Sequence, residues 1–160
     1  MRYWLMKSEP DEVSFEDVLA APGRTVAWFG VRNYQARNFM RDQMAVGDGV
    51  LFYHSSCAVP GVAGIAKIAS GPYPDASQFD ASSPYHDPKA TREQPRWISL
   101  DVTAVAQGRY LPLTELRGVP ELEDMVLLQK GSRLSISPVA QGEWGKILEM
   151  AGVPADALAT

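Results

Sequence analysis

The sequence predicts an α+β fold: a small, strongly bent sheet or incomplete barrel of about five or six short strands, with short helices packed outside it. Three observations predict this. Short apolar or alternating runs recur at residues 3–8, 25–29, 50–55, 62–68 and 96–106. Helical spacing is confined to brief stretches, clearest at residues 33–43 and Gln141–Ala151. No sustained βαβ alternation is present, which disfavours a doubly wound parallel sheet.

Residues 3–8 concentrate aromatic and aliphatic side chains as far as Lys7 and Ser8, and the turn signal Glu9-Pro10-Asp11 ends the strand. Ser14 starts a short helix, with Asp17 completing a weaker form of the capping box, Val18 and Leu19 on its apolar side and Pro22-Gly23 as its stop. Residues 25–29 form a strand or extended segment ending at Gly30. Asn33 is the N-cap of a helix reaching about Gln43, with Ala36, Phe39, Met40 and Met44 as its buried stripe and Arg37 and Arg41 on its outer face.

After the Gly47-Asp48-Gly49 turn, alternation puts Val50, Phe52 and His54 on one side of a strand and Leu51, Tyr53 and Ser55 on the other. Residues 62–68 return as its hairpin partner, and Gly64 within them marks a bulge or a close backbone approach. Residues 71–95 carry five of the twelve prolines without periodicity, which marks a long loop, either ordered for function or flexible. Residues 96–106 alternate as a strong strand. Residues 114–118 and 121–129 read as short helices split by Pro120, and residues 134–136 as a short strand closed by Pro138. Gln141–Ala151 is an amphipathic helix that buries Trp144, Ile147, Leu148 and Ala151 and stops at Gly152.

A chain of 160 residues suits one domain spanning residues 1–160, and its 46% hydrophobic and 21% charged content is ordinary for a globular protein. The net charge of -4 and pI near 5.1 argue against bulk coating of nucleic acid, so any such contact must be local. A single cysteine, Cys57, excludes an internal disulfide and a multi-cysteine zinc site. No apolar run reaches bilayer length or resembles a signal peptide, so the expectation is an intracellular protein with no membrane partner.

Against this acidic background, residues 24–41 hold four of the fifteen basic residues and no carboxylate. Between Trp28 and Arg41 lie three arginines, two asparagines, a glutamine and four aromatics, a set able to stack on and hydrogen-bond an anionic ligand. Catalytic signatures are missing: GxGxxG, the P-loop, HExxH and the zinc-deaminase pattern do not occur. His54 and Cys57 are three residues apart across a strand end, with no helix to hold them on one face. No residue is assigned a catalytic role, and neither a metal nor a cofactor is expected.

Several stretches together resemble the EVE domain family: residues 3–10 (Tyr-Trp-Leu-Met-Lys-Ser-Glu-Pro), Trp28 with residues 30–38, and residues 52–55. Further matching stretches are residues 60–65, 73–75, 78–80, 95–97, 133–136 and 138–139. The resemblance spans about residues 2–150 and implies a PUA-like fold related to YTH and ASCH domains. It also implies a non-enzymatic reader of a modified base in DNA or RNA; a monomer that is cytoplasmic or, in a eukaryote, nuclear is the further expectation. By similarity to YTH domains, Lys7, Ser8, Glu9 and Trp28 map onto a base pocket. Phe29 and Ser137 depart from the family, which often has an acidic residue and a glutamine at those positions.

The ligand-binding set expected on these grounds is Lys7, Ser8, Glu9, Trp28, Arg32, Asn33, Tyr34, Gln35, Tyr53, His54 and Ser55, with Arg32, Arg37 and Arg41 for phosphates. Each has a plainer reading beside it. Trp28 suits a core position as well as a stacking platform, Asn33 a bare N-cap, Arg37 and Arg41 a solvated helix face, and Tyr53 and His54 packed strand positions. Two other functions stand beside this one: an enzyme or sensor that uses the same residues on a free nucleotide or another small anionic metabolite, and an interaction module docking a partner through residues 71–95.

Overall fold

The computed structural model describes residues 1–159. Its strands are β1 (Tyr3–Ser8), β2 (Thr25–Trp28), β3 (Gly49–His54), β4 (Gly61–Ile68), β5 (Tyr73–Pro74), β6 (Ile98–Ala106), β7 (Leu111–Pro112) and β8 (Ile136–Val139). Its α-helices are α1 (Phe15–Ala20), α2 (Tyr34–Asp42), α3 (Leu113–Leu116) and α4 (Gln141–Ala151). The main path of the sheet is β2-β6-β4-β3-β1-β8, six strands as expected, and the two-residue strands β5 and β7 pair with β6 and β4. The α+β class stands.

At the centre, β1 and β3 are parallel, from Tyr3 opposite Gly49 to Ser8 opposite His54, so both strands finish at the same end of the sheet. The chain between them crosses over through α1, β2 and α2. Strands at this position are buried on both faces, and alternation then feeds two cores. Trp4, Met6, Val50 and Phe52 pack with Phe15, Val18, Trp28, Ala36 and Met40 on one side. Leu5, Leu51 and Tyr53 pack with Leu116, Trp144, Ile147 and Leu148 on the other.

Local signals behave as their chemistry dictates. Ser14 Oγ accepts the Asp17 amide at 3.1 Å while Asp17 Oδ2 accepts the Ser14 amide at 2.8 Å, which makes a full capping box for α1. Asn33 Oδ1 caps α2 by accepting the Ala36 amide at 3.0 Å. Gly64 fulfils both readings. The β3–β4 register slips between Phe52 and Tyr53, and a Cβ on Gly64 would lie 2.3 Å from the Phe15 ring.

Two expectations need revision, and one alternative left open is resolved. Residues 121–129 are not a helix but contribute to two 3₁₀ turns, Pro120–Leu122 and Val126–Leu128, and Gln129 Nε2 donates to the carbonyls of Glu123 and Met125 at 3.0 Å each. Strand β8 runs through Pro138 to Val139 instead of stopping before it. β8 is an edge strand, so the missing proline N–H leaves no neighbour unpaired. Residues 71–95 are ordered, because Gln78 is fully buried among them. Its Nε2 donates to the carbonyls of Asp75 and Trp97 at 2.8 Å, and its Oε1 accepts the amides of Arg96 and Trp97 at 2.9 Å. No described helix is long and apolar enough to cross a membrane.

Candidate functional site

The ends of β1 and β2, the turn after β3 and the segment before β8 meet around a pocket of about 480 Å³, within the range of small-ligand sites. Trp28 lies in its wall with only 8% of its surface exposed, its ring meeting Phe52 edge-on at 5.3 Å. The core and platform readings of Trp28 are therefore compatible: one edge packs inward and the residue still lines the cavity. Its indole N–H has no hydrogen-bond partner among the described residues.

Parallel pairing of β1 with β3 brings Lys7, Ser8 and Glu9 beside Ser55 and Ser56. Ser8 Oγ donates to the Val13 carbonyl at 2.6 Å, which leaves its lone pairs free to accept. Lys7 is half-buried, and this desolvation lowers the pKa of its ammonium. Across from it, the Tyr85 hydroxyl donates to both oxygens of Glu12 at 2.6 and 2.7 Å. Burial, reinforced by that hydrogen bond, pushes the Tyr85 phenol up to about 12. The Tyr85 ring meets Phe29 edge-on and rests on Gly30, whose φ of +81° and missing side chain allow the approach.

Arg32 lines the pocket, but its guanidinium is directed into the protein. Nε and Nη2 donate to the Tyr85 carbonyl at 3.1 and 2.7 Å, Nη2 also to Ser77 Oγ at 3.1 Å, and Nη1 to the Val31 carbonyl at 2.8 Å and Asp75 Oδ2 at 3.1 Å. All five N–H groups of the side chain are used. In this arrangement Arg32, expected to contact phosphates, clamps Tyr85 and residues 71–95 against the turn after β2.

The other two arginines lie outside the pocket. Arg37 sits over the Tyr34 ring at 4.7 Å and donates to the Arg96 carbonyl at 2.9 Å, while Tyr34 stacks on Trp97 at 4.7 Å. Arg41 is exposed and held bidentately by Asp42 at 2.8 and 3.0 Å, which neutralises it. Gln35 is exposed on α2, away from the cavity. Tyr53 is 3% exposed and belongs to the core on the opposite face of the sheet. His54 Nε2 accepts the first amide of α1, from Phe15, at 3.1 Å. The structure therefore brings together Lys7, Ser8, Glu9, Trp28, Arg32, Asn33 and Ser55, and leaves Tyr34, Gln35, Tyr53, His54, Arg37 and Arg41 outside.

Residues 2–150 match the model of the EVE domain. The chain belongs to the EVE domain family. Human thymocyte nuclear protein 1 is 42% identical over 154 residues, an alignment covering 85% of this chain and 68% of that protein. A crystal structure from Pseudomonas syringae is similar at 51% identity and a TM-score of 0.88, covering 93% of this chain and 99% of the other. Human THYN1, solved in complex with DNA containing 5-methylcytosine, is similar at 40% identity and a TM-score of 0.88, covering 96% of this chain and 99% of the other.

Pocket residues of this EVE domain that sequence reasoning missed are Glu12, Tyr85, Ser56, Arg133 and Ser135. Tyr85 lies in the proline-rich stretch, where no periodicity points to it. Arg133 and Ser135 lie in one of the stretches that carried the resemblance, and the quoted motif itself was the available signal. Of the two departures from the family, Phe29 borders the pocket, whereas Ser137 is buried in β8 opposite Leu5.

Proposed function

We propose that this EVE domain binds DNA and takes one modified base, 5-methylcytosine being the first candidate, into the pocket beside Trp28 without reacting with it. The observation that carries this reading is the pocket itself: an aromatic wall with a free indole donor, a half-buried ammonium and serine acceptors at the ends of parallel strands. The complex of human THYN1 with DNA containing 5-methylcytosine supports DNA as the partner. Binding rather than turnover fits His54, whose acceptor nitrogen is already taken by the Phe15 amide and which lies off the pocket.

The energetics require more than the base. Extruding a base from a duplex costs a few kcal/mol, and stacking on one aromatic returns about 1 to 3 kcal/mol. Phosphate contacts must supply the remainder, which makes affinity modest and salt-dependent. Titrating the protein with two duplexes that differ only in the 5-methyl groups, at two salt concentrations, tests the reading. Tighter binding of the methylated duplex at both supports it, and equal affinity overturns it.

A further inference from the structure

We infer that Lys7 and Arg133 form a phosphate site at the mouth of the pocket and hold the DNA backbone beside the bound base. This rests on the reading that the pocket takes a base from DNA. Four observations lead to it. The basic stretch that looked suited to phosphates is occupied: Arg32 uses all five donors internally, Arg37 is tied to Asn38 and the Arg96 carbonyl, and Arg41 is neutralised by Asp42. Lys7 and Arg133 both line the pocket, and among the described residues neither charged group has a hydrogen-bond or ion-pair partner. Lys7 is half-buried with desolvation uncompensated, and Arg133 is exposed.

The backbone also brings the segments carrying the two together. The Lys7 amide donates to the Ser135 carbonyl at 2.8 Å, continuing the β1–β8 pairing that starts at Met6 opposite Ile136. The segment carrying Arg133 therefore runs along the end of β1, two residues from that bond. Of the carboxylates in the pocket wall, Glu12 is engaged by the Tyr85 hydroxyl and Glu9 is exposed at the rim without an ion pair to either cation. A phosphodiester matches this pair: the guanidinium offers a fork for two oxygens and the ammonium a point charge. An anion placed there also offsets the cost of burying Lys7.

The test compares wild type, Arg133→Gln and the control Arg41→Gln on a methylated duplex with native phosphates and on duplexes in which a phosphate flanking the modified base is a neutral methylphosphonate. For wild type, one such replacement should weaken binding and lower the slope of log K against log salt by about 0.9. Arg133→Gln should lower the slope by a similar amount, lose nothing further on the neutral-phosphate duplex, and keep the preference for methylated over unmethylated DNA. Arg41→Gln should behave as wild type. A wild-type slope in Arg133→Gln with full sensitivity to the methylphosphonate, while methyl preference persists, overturns the phosphate site and leaves the base reading standing. Absence of any methyl preference in the wild-type protein overturns the base reading and this site with it.

Discussion

The Arg32 guanidinium lies 3.1 Å from the carboxylate of Asp75, whose side chain is 1% exposed and which also accepts the Gly30 amide at 2.8 Å. This pair joins the turn after β2 to a loop forty-three residues away and sets the position of the pocket wall. Burial alone would raise the Asp75 carboxyl, but hydrogen bonds from Ser77, Gly30 and Arg32 hold it below its usual value of 3.8. A carboxyl lowered on folding stabilises the native state above its ordinary value, and that stability is lost as pH falls through the depressed folded value. Arg32→Gln should therefore reduce the unfolding free energy by about 2 to 4 kcal/mol at pH 7 and move acid unfolding to higher pH. Urea unfolding and an acid titration followed by circular dichroism measure both effects. A loss below about 0.5 kcal/mol would contradict the clamp role, since that is the scale of an ordinary surface change.

His54 makes a prediction of opposite kind, because its imidazole accepts the first amide of α1 and it does not line the pocket. Burial lowers its pKa from 6.5, against weaker opposing effects of Glu16 and Asp17. Only the neutral imidazole can accept the Phe15 amide, so its contribution to stability is complete above 6.5 and fades as pH drops through the lowered folded value. His54→Ala should cost about 1 kcal/mol at pH 8, flatten the stability profile below pH 6.5, and leave DNA affinity unchanged. Thermal melts across pH together with one binding curve decide it, and a large loss of affinity in a folded variant would return His54 to the site.

Gly30→Ala tests the seat of Tyr85. The new Cβ would stand 2.8 Å from the Tyr85 ring at a φ of +81°, so the ring must leave Gly30 or the turn must deform. Left-handed backbone costs a non-glycine residue about 1 to 2 kcal/mol, and displacement of Tyr85 breaks its hydrogen bond to Glu12. The variant should melt at lower temperature and bind methylated DNA more weakly. Unchanged values for both would show that the Tyr85 contact has no bearing on the pocket.

What the sequence disclosed, and what it hid, follows from the range of the interactions. Caps at Ser14 and Asn33, the stop at Gly152 and the alternation of residues 50–53 are set by neighbours within a few residues, and the structure reproduces each. The same alternation sends Tyr53 and His54 to opposite faces of β3, and the structure leaves both outside the pocket. Arg32 hid its pairing for a different reason. Its partners Asp75, Ser77 and Tyr85 come from a loop without periodicity, and charge along the chain cannot show which arginine is already paired. Parallel pairing of β1 with β3 was likewise hidden, because the crossover contains β2 and reads locally as separate short elements.

The central claim, that a modified base stacks at Trp28, is tested most directly by comparing methylated and unmethylated duplex binding in wild type, Trp28→Phe and Trp28→Ala, each confirmed folded by circular dichroism. Because Trp28 also packs on Phe52, the phenylalanine variant controls for lost core contacts. Removal of the aromatic face should cost about 1 to 3 kcal/mol, a loss of about 5- to 150-fold for methylated DNA, with the methyl preference abolished in Trp28→Ala and partly kept in Trp28→Phe. A folded Trp28→Ala protein that binds methylated DNA with wild-type affinity and preference would contradict the account.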